Sequence, residues 1–285
     1  MSFLKVIVLA IVQGLAELLP VSSSAHVVVA EKLMGLDPSS PSMTLLLVML
    51  HTGTMFAVIV YFWRRWRATY FASMAQFRRA AGQLILATVL TGVVYEGVLL
   101  ILERTVFRGA PHAQIEDLFG HLELIAPALA AAGILILVAG LRERRTGHGP
   151  GDLTTRDAGV IGAIQGLCLP FRGFSRSGAT ISTGMLAGVA KANAENFSFA
   201  LAVILTPPVV AREALRVLHS EHEAGAAALS SAALPSLVGA ALAFVAGLVA
   251  LKWLSRWLET GRWYLFGVYC LVAAAVVGGL YWAGY

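Results

Sequence analysis

Long apolar runs dominate the chain, and its polar positions gather at their ends or in two short interruptions. Residues 43–63, 82–102, 122–141, 196–215, 233–254 and 263–283 are each apolar over about the twenty positions a membrane-crossing helix needs. Residues 3–18, the stretch from the serines to Leu33, 158–170 and 179–190 are apolar but too short to cross comfortably. The first two are separated by Pro20 and the hydroxyls Ser22 to Ser24, the last two by Pro170 to Gly178. Proline ends a helix, and serine is a favoured N-cap for the next one. Each short pair therefore predicts a re-entrant turn, because non-helical backbone at membrane depth is tolerated only against protein or a water-filled cavity. Pro207 and Pro208 predict a kink in the fourth long span.

Charge sharpens this picture. Only 13% of the 285 residues are charged and 58% are hydrophobic, against about 25% charged in soluble domains. The net charge of +5 does not imply a nucleic-acid partner, because the cations flank apolar runs rather than forming a basic patch with interleaved aromatics. Arg64, Arg65, Arg67, Arg78 and Arg79 lie in one loop; Arg142, Arg144 and Arg145 in another; Lys252, Arg256 and Arg262 in a third. Arginine excess marks the cytoplasmic side. The loop 103–120 is mixed in charge, 216–231 carries Glu221 and Glu223, and 147–151 is rich in Gly and Pro. The two cysteines, Cys168 and Cys270, give neither a disulfide framework nor metal spacing. Gln13 and Glu17 interrupt any signal-peptide core at the N-terminus, so that stretch is expected in the mature fold.

Gln-Gly-Leu recurs at 13–15 and 165–167. Each copy precedes a proline, a hydroxyl-rich break and three long spans. An odd number of spans per half forces the halves into opposite orientations, and inverted repeats place a site near the membrane midplane. The expected fold is an all-α polytopic membrane protein with six transmembrane helices plus two re-entrant helix pairs in an inverted-topology repeat. The halves would be 1–145 and 158–285, joined by a linker over 146–157.

The two breaks hold the chemistry. Gln13 and Glu17 share a helical face, as do Ser23 and His26. Helix N-termini offer free N–H groups and a positive dipole end to an anion. The second break adds Arg176, the residue type suited to gripping phosphate through paired hydrogen bonds. If the breaks face each other, Glu17, Ser23, His26 and Arg176 enclose a site for a polyanion with a scissile phosphoryl group. Glu17 would hold a divalent cation or act as base, Ser23 or water would attack, His26 would carry a proton, and Arg176 would stabilise developing charge. Gln13, Ser22, Ser24, Arg172, Ser175, Ser177 and Thr180 are the candidate substrate contacts around them.

Structural readings compete with each assignment. The serine run could only cap a helix, Arg172 could anchor at the interface, and Glu17 with Arg176 could be a buried ion pair. His51 reads as a satisfied interhelical donor. Glu96 lies in a span with no evident partner in the sequence.

At these residues the sequence resembles the undecaprenyl-diphosphate phosphatase family, the bacitracin-resistance type of membrane phosphatase. That family pairs an (E/Q)xxxE motif and PxSSxxH with a later PGxSRSGxT. Here they read Gln13 to Glu17, Pro20 to His26, and Arg172 to Thr180. The resemblance implies hydrolysis of undecaprenyl diphosphate to recycle the lipid carrier of cell-wall synthesis. It implies a divalent cation, magnesium or calcium, held at Glu17, and a plasma (inner) membrane location with the site open to the outer face. Membrane lipids surround such a protein, and a homodimer is left open. The functional acid, serine, histidine and arginine fall on Glu17, Ser23, His26 and Arg176. Two departures stand out: Gln13 leaves Glu17 as the lone carboxylate of the first motif, and Arg172 replaces the usual proline. The rival function is a secondary transporter or polyprenyl-phosphate flippase using the same polar cavity, since broken helices also build transporters.

Overall fold

The computed structural model describes residues 2–37, 40–105, 122–146, 151–224 and 226–284. Most of the mixed loop 103–120 and residues 147–150 of the Gly/Pro-rich run lie outside the described residues, as do the side chains of Glu221 and Glu223. The described residues form helices: α1 Phe3–Leu18, α2 Ser23–Leu33, α3 Pro41–Thr69, α4 Met74–Thr105, α5 Leu122–Thr146, α6 Thr155–Cys168, α7 Arg176–Leu186, α8 Lys191–Ala224, α9 Ala226–Glu259 and α10 Tyr264–Trp282. The described residues contain no strand, only an isolated bridge from Gly151 to Val189.

Among the described residues, six helices are long and apolar enough to cross a membrane: α3, α4, α5, α8, α9 and α10. The other four have 16, 11, 14 and 11 residues. At 1.5 Å rise per residue they reach roughly 16–24 Å, short of a hydrocarbon core of about 30 Å. The chain is thus a multi-pass membrane protein with four helices too short to span alone. Helix α8 continues through Pro207 and Pro208. Helix α6 begins inside the expected linker, because Thr154 and Asp157 form a reciprocal capping box there.

Helix α1 packs on α9, and α6 packs on α4. Both contacts are made close by glycine. A Cβ on Gly14 would collide with Ala243 and Ala246 of α9, and one on Gly166 with Thr91 and Val94 of α4. Helix α3 lies between α8 and α9, while α5 packs on α10 and α7. The C-terminal end of α3 meets the start of α8, where Trp66 Nε1 donates to the Asn196 carbonyl at 3.4 Å. Phe62, Trp66, Leu129, Phe199, Leu254 and Trp263 share one buried core. Helices α2 and α7 each end on a glycine of positive φ, Gly35 and Gly188. In both, the following N–H reaches back to the third-last helical carbonyl: Leu36 to Glu31 and Val189 to Gly184.

Candidate active site

Pro20 shapes the first break. It forces the preceding residue out of the helical region, and Leu19 is extended at φ −79, ψ 152. The chain then reverses through Ser22, a non-glycine residue at φ 66. Such a conformation costs of order 1–3 kcal/mol and persists only where its surroundings impose it. Ser22 makes no side-chain cap to α2, which corrects the expectation of a capping hydroxyl. Its Oγ lies 3.2 Å from Ser24 Oγ, and its carbonyl faces His26 Nδ1 at 2.7 Å.

Glu17 collects the polar groups of four helices. Gln13 Nε2 donates to its Oε2 at 3.1 Å. The Ser23 hydroxyl donates to the same oxygen at 2.5 Å, and Arg176 Nη2 donates to Oε1 at 2.9 Å. From α3, His51 Nε2 stands 3.8 Å from Oε2. Burial alone would raise the Glu17 carboxyl, but His51, Arg176 and the Ser23 and Gln13 hydrogen bonds together hold it below the ordinary carboxylate value. The Arg176 and Glu17 side chains keep 20% and 17% exposure, so the pair is shielded but not closed off by protein.

The second break is built differently. Ser175 caps α7 by accepting from Gly178 N. Gly173 has φ +101, and a Cβ there would lie 2.5 Å from the Ile125 carbonyl oxygen. The two breaks are tied directly: Gly173 N donates to Ser24 Oγ at 3.3 Å, and Ser177 Oγ donates to the Leu19 carbonyl at 3.3 Å.

The structure thus brings Gln13, Glu17, Ser23 and Arg176 into direct contact. Ser24 joins them through the second break. Ser175, Ser177 and Thr180, expected at the substrate, are all buried. Ser175 is a cap, Ser177 braces the first break, and the Thr180 hydroxyl bonds the Arg176 carbonyl at 2.8 Å and Ser198 Oγ at 2.6 Å. Arg172 is the cation acting on Glu31, a buried acid of α2 whose carboxyl burial pushes up to about 7 against the arginine. Glu96 is exposed on α4.

His51, expected as a satisfied interhelical donor, takes a different place, and Tyr269 joins the site without any signal in the sequence. His51 donates through one ring edge to its own helix, with Nδ1 2.8 Å from the Leu47 carbonyl, yet its other edge faces Glu17. An imidazole inside a span is a functional signal by default, and that signal was available. Tyr269 of α10 meets His26 Nε2 at 2.7 Å. A tyrosine in an apolar span carries no such signal. His26 itself is bonded to Ser22 and Tyr269 rather than to Ser23 or Glu17.

Oxygen donors line the pocket. Hard cations such as magnesium and calcium take oxygen ligands, and magnesium is commonly held by one or two carboxylates plus substrate phosphates. The described residues contain no group of three His, Cys, Asp or Glu placed to hold a metal. Glu17, its single carboxylate backed by the Gln13 amide, is the residue that would hold a magnesium ion arriving with a phosphate.

Six helices long and apolar enough to cross a membrane, with a carboxylate, a hydroxyl and a guanidinium joined where two helix breaks meet, define an integral membrane protein suited to phosphoryl-transfer chemistry. The chain belongs to the family described as Bacitracin resistance protein BacA, which matches residues 6–276. It is 56% identical over 282 residues to "Undecaprenyl-diphosphatase 2" of Acinetobacter baylyi, covering 97% of both chains. It is 36% identical over 290 residues to "Undecaprenyl-diphosphatase" of Acidiphilium cryptum and 32% over 278 residues to the protein of the same name from Rhodopirellula baltica, each at 97% coverage of both chains.

Proposed function

We propose that the protein hydrolyses undecaprenyl diphosphate to undecaprenyl phosphate and inorganic phosphate, recycling the lipid carrier of cell-wall synthesis in the bacterial inner membrane. Full-length similarity to named undecaprenyl-diphosphatases supports the reaction. The observation that carries the mechanism is the continuous chain Ser23–Glu17–Arg176, in which a hydroxyl, a base and an orienting cation lie within hydrogen-bond reach.

Ser23 is the nucleophile in this reading. Its Oγ attacks the terminal phosphorus while its proton passes to Glu17 Oε2, and that proton departs with undecaprenyl phosphate. Water then attacks the phosphoserine; Glu17 takes the proton of the water and returns one to Ser23, releasing phosphate. Arg176 holds Glu17 in the resting pocket and stabilises charge on the transferred group. Gln13 fixes the Glu17 rotamer. The uncapped start of α2 offers N–H groups to the phosphate, and Ser22 and Ser24 line that approach. His26 carries protons at the edge of the pocket. Magnesium or calcium, held by Glu17 and the diphosphate, would supply charge neutralisation.

The finer fold reading is an inverted repeat of two re-entrant pairs and three spans each. Exchanging the halves matches α1 with α6 and α4 with α9, and the packing pairs α1–α9 and α6–α4 exchange accordingly. The matching glycines Gly14 and Gly166 make those contacts close, and Gly35 and Gly188 end matching helices. In this reading the pocket opens on the outer face; the arginine-rich loops, which mark the cytoplasmic side, support that orientation. Glu17, Ser23 and Arg176 come from one chain, so hydrolysis needs no second copy. Translocation is the less favoured reading, given relatives named for hydrolysis.

The test is phosphate release from undecaprenyl diphosphate by detergent-purified protein, with and without a chelator. Release that is lost with Ser23→Ala and with chelator supports the reading. Release that survives Ser23→Ala overturns the serine nucleophile, and absence of release by the unmodified protein overturns the function.

A further inference from the structure

The last helix grips the first break at two adjacent residues. Cys270, fully buried, donates its thiol to the Pro20 carbonyl at 3.3 Å. Its neighbour Tyr269 reaches His26 at 2.7 Å and stacks on the ring, with centroids 5.7 Å apart and planes within 12°. These partners are 243 residues apart in sequence.

The partners fix the protons. A carbonyl oxygen only accepts, so the 2.7 Å bond to Ser22 requires hydrogen on His26 Nδ1. Nε2 of the neutral ring is then an acceptor, and the tyrosine hydroxyl is its donor. Burial favours that neutral ring, against the pull of the Ser22 carbonyl. Tyr269 is 47% exposed at the surface of α10, so it meets the ring from outside the buried core.

We infer that Tyr269 is the positioning residue of His26: its hydroxyl selects the tautomer with hydrogen on Nδ1 and, with the stacked ring, orients the imidazole. Both ring nitrogens are thereby engaged, Nδ1 by the Ser22 carbonyl and the basic Nε2 by the tyrosine hydroxyl. The assignment rests on the proposed hydrolysis for its kinetic consequence, but not for its geometry. Glu17 meets Ser23 on the turn below, and Cys270 meets Pro20, so neither competes for the ring.

Tyr269→Phe keeps the ring stack and removes the hydroxyl. In the full-length protein, kcat for phosphate release is expected to fall about ten-fold, within the reach of proton-transfer effects, with KM nearly unchanged. The acid limb of the kcat/KM profile should move to higher pH, because a donor to the neutral imidazole has been lost. In a His26→Asn background the same change should cost nothing more. Nitrogen-15 NMR of histidine-labelled protein should find His26 protonated on Nδ1 alone, and a mixture of tautomers in Tyr269→Phe. An Nε2-protonated ring in the unmodified protein overturns the inference whether or not the protein hydrolyses diphosphates. Multiplicative losses in the double variant, or an unmoved pH profile, overturn it too. Inactivity of the unmodified protein with the expected tautomer overturns only the proposed function.

Discussion

The two helix breaks share a sequence plan but divide the labour. The first turns through a serine at φ 66 and leaves α2 without a side-chain cap. Its glutamine, acid and first helical serine point to one another. The second turns through glycine, caps its helix with Ser175 and buries its hydroxyls against protein. Their glutamines show the same split: Gln13 donates to Glu17, whereas Gln165 donates to Thr91 of α4 at 3.1 Å. In the proposed mechanism one break carries the reactive groups under strain, and the other is a braced scaffold that delivers a single guanidinium. Strain at functional positions, compensated by order around them, is the expected pattern.

That contrast can be broken experimentally. Glu17→Gln should remove the base and lower kcat by at least about a thousand-fold, in the upper range of acid–base contributions; a steady-state phosphate assay reads it. Gly173→Ala tests the scaffold. Its Cβ would press on the Ile125 carbonyl at a positive φ, so the melting transition should fall by an amount equivalent to about 1–3 kcal/mol. Ser175→Ala removes a cap and should cost about 1 kcal/mol in thermal stability, with kcat retained. A large kcat loss in Ser175→Ala would return that serine to the substrate. Arg172→Ala should raise KM for the diphosphate by a few-fold, and an unchanged KM would leave Arg172 solely a partner of Glu31.

The spans were readable because hydrocarbon thickness and flanking arginines constrain them strongly. The four short helices were readable for the same reason, through their inadequate length. The start of α6 was missed because Thr154 and Asp157 lie in a polar stretch where a three-residue capping spacing is easily overlooked. At the site, periodicity correctly put Gln13 with Glu17, but it cannot say which neighbour a face meets. Ser177 and Thr180 looked equally suited to substrate, and only packing shows them turned to Leu19 and Ser198. His51 and Tyr269 come from α3 and α10, far from either motif, and a single imidazole or phenol in a span gives no hint of its partner.

In the proposed mechanism Glu17 and Arg176, 159 residues apart, act as one unit across the two breaks. The direct test is a double-variant cycle on phosphate release with Glu17→Gln, Arg176→Ala and the pair together. Each single change should abolish most of the activity, and the pair should be no worse than the more damaging single. Independent, multiplicative losses, or substantial activity in either single variant, would contradict it.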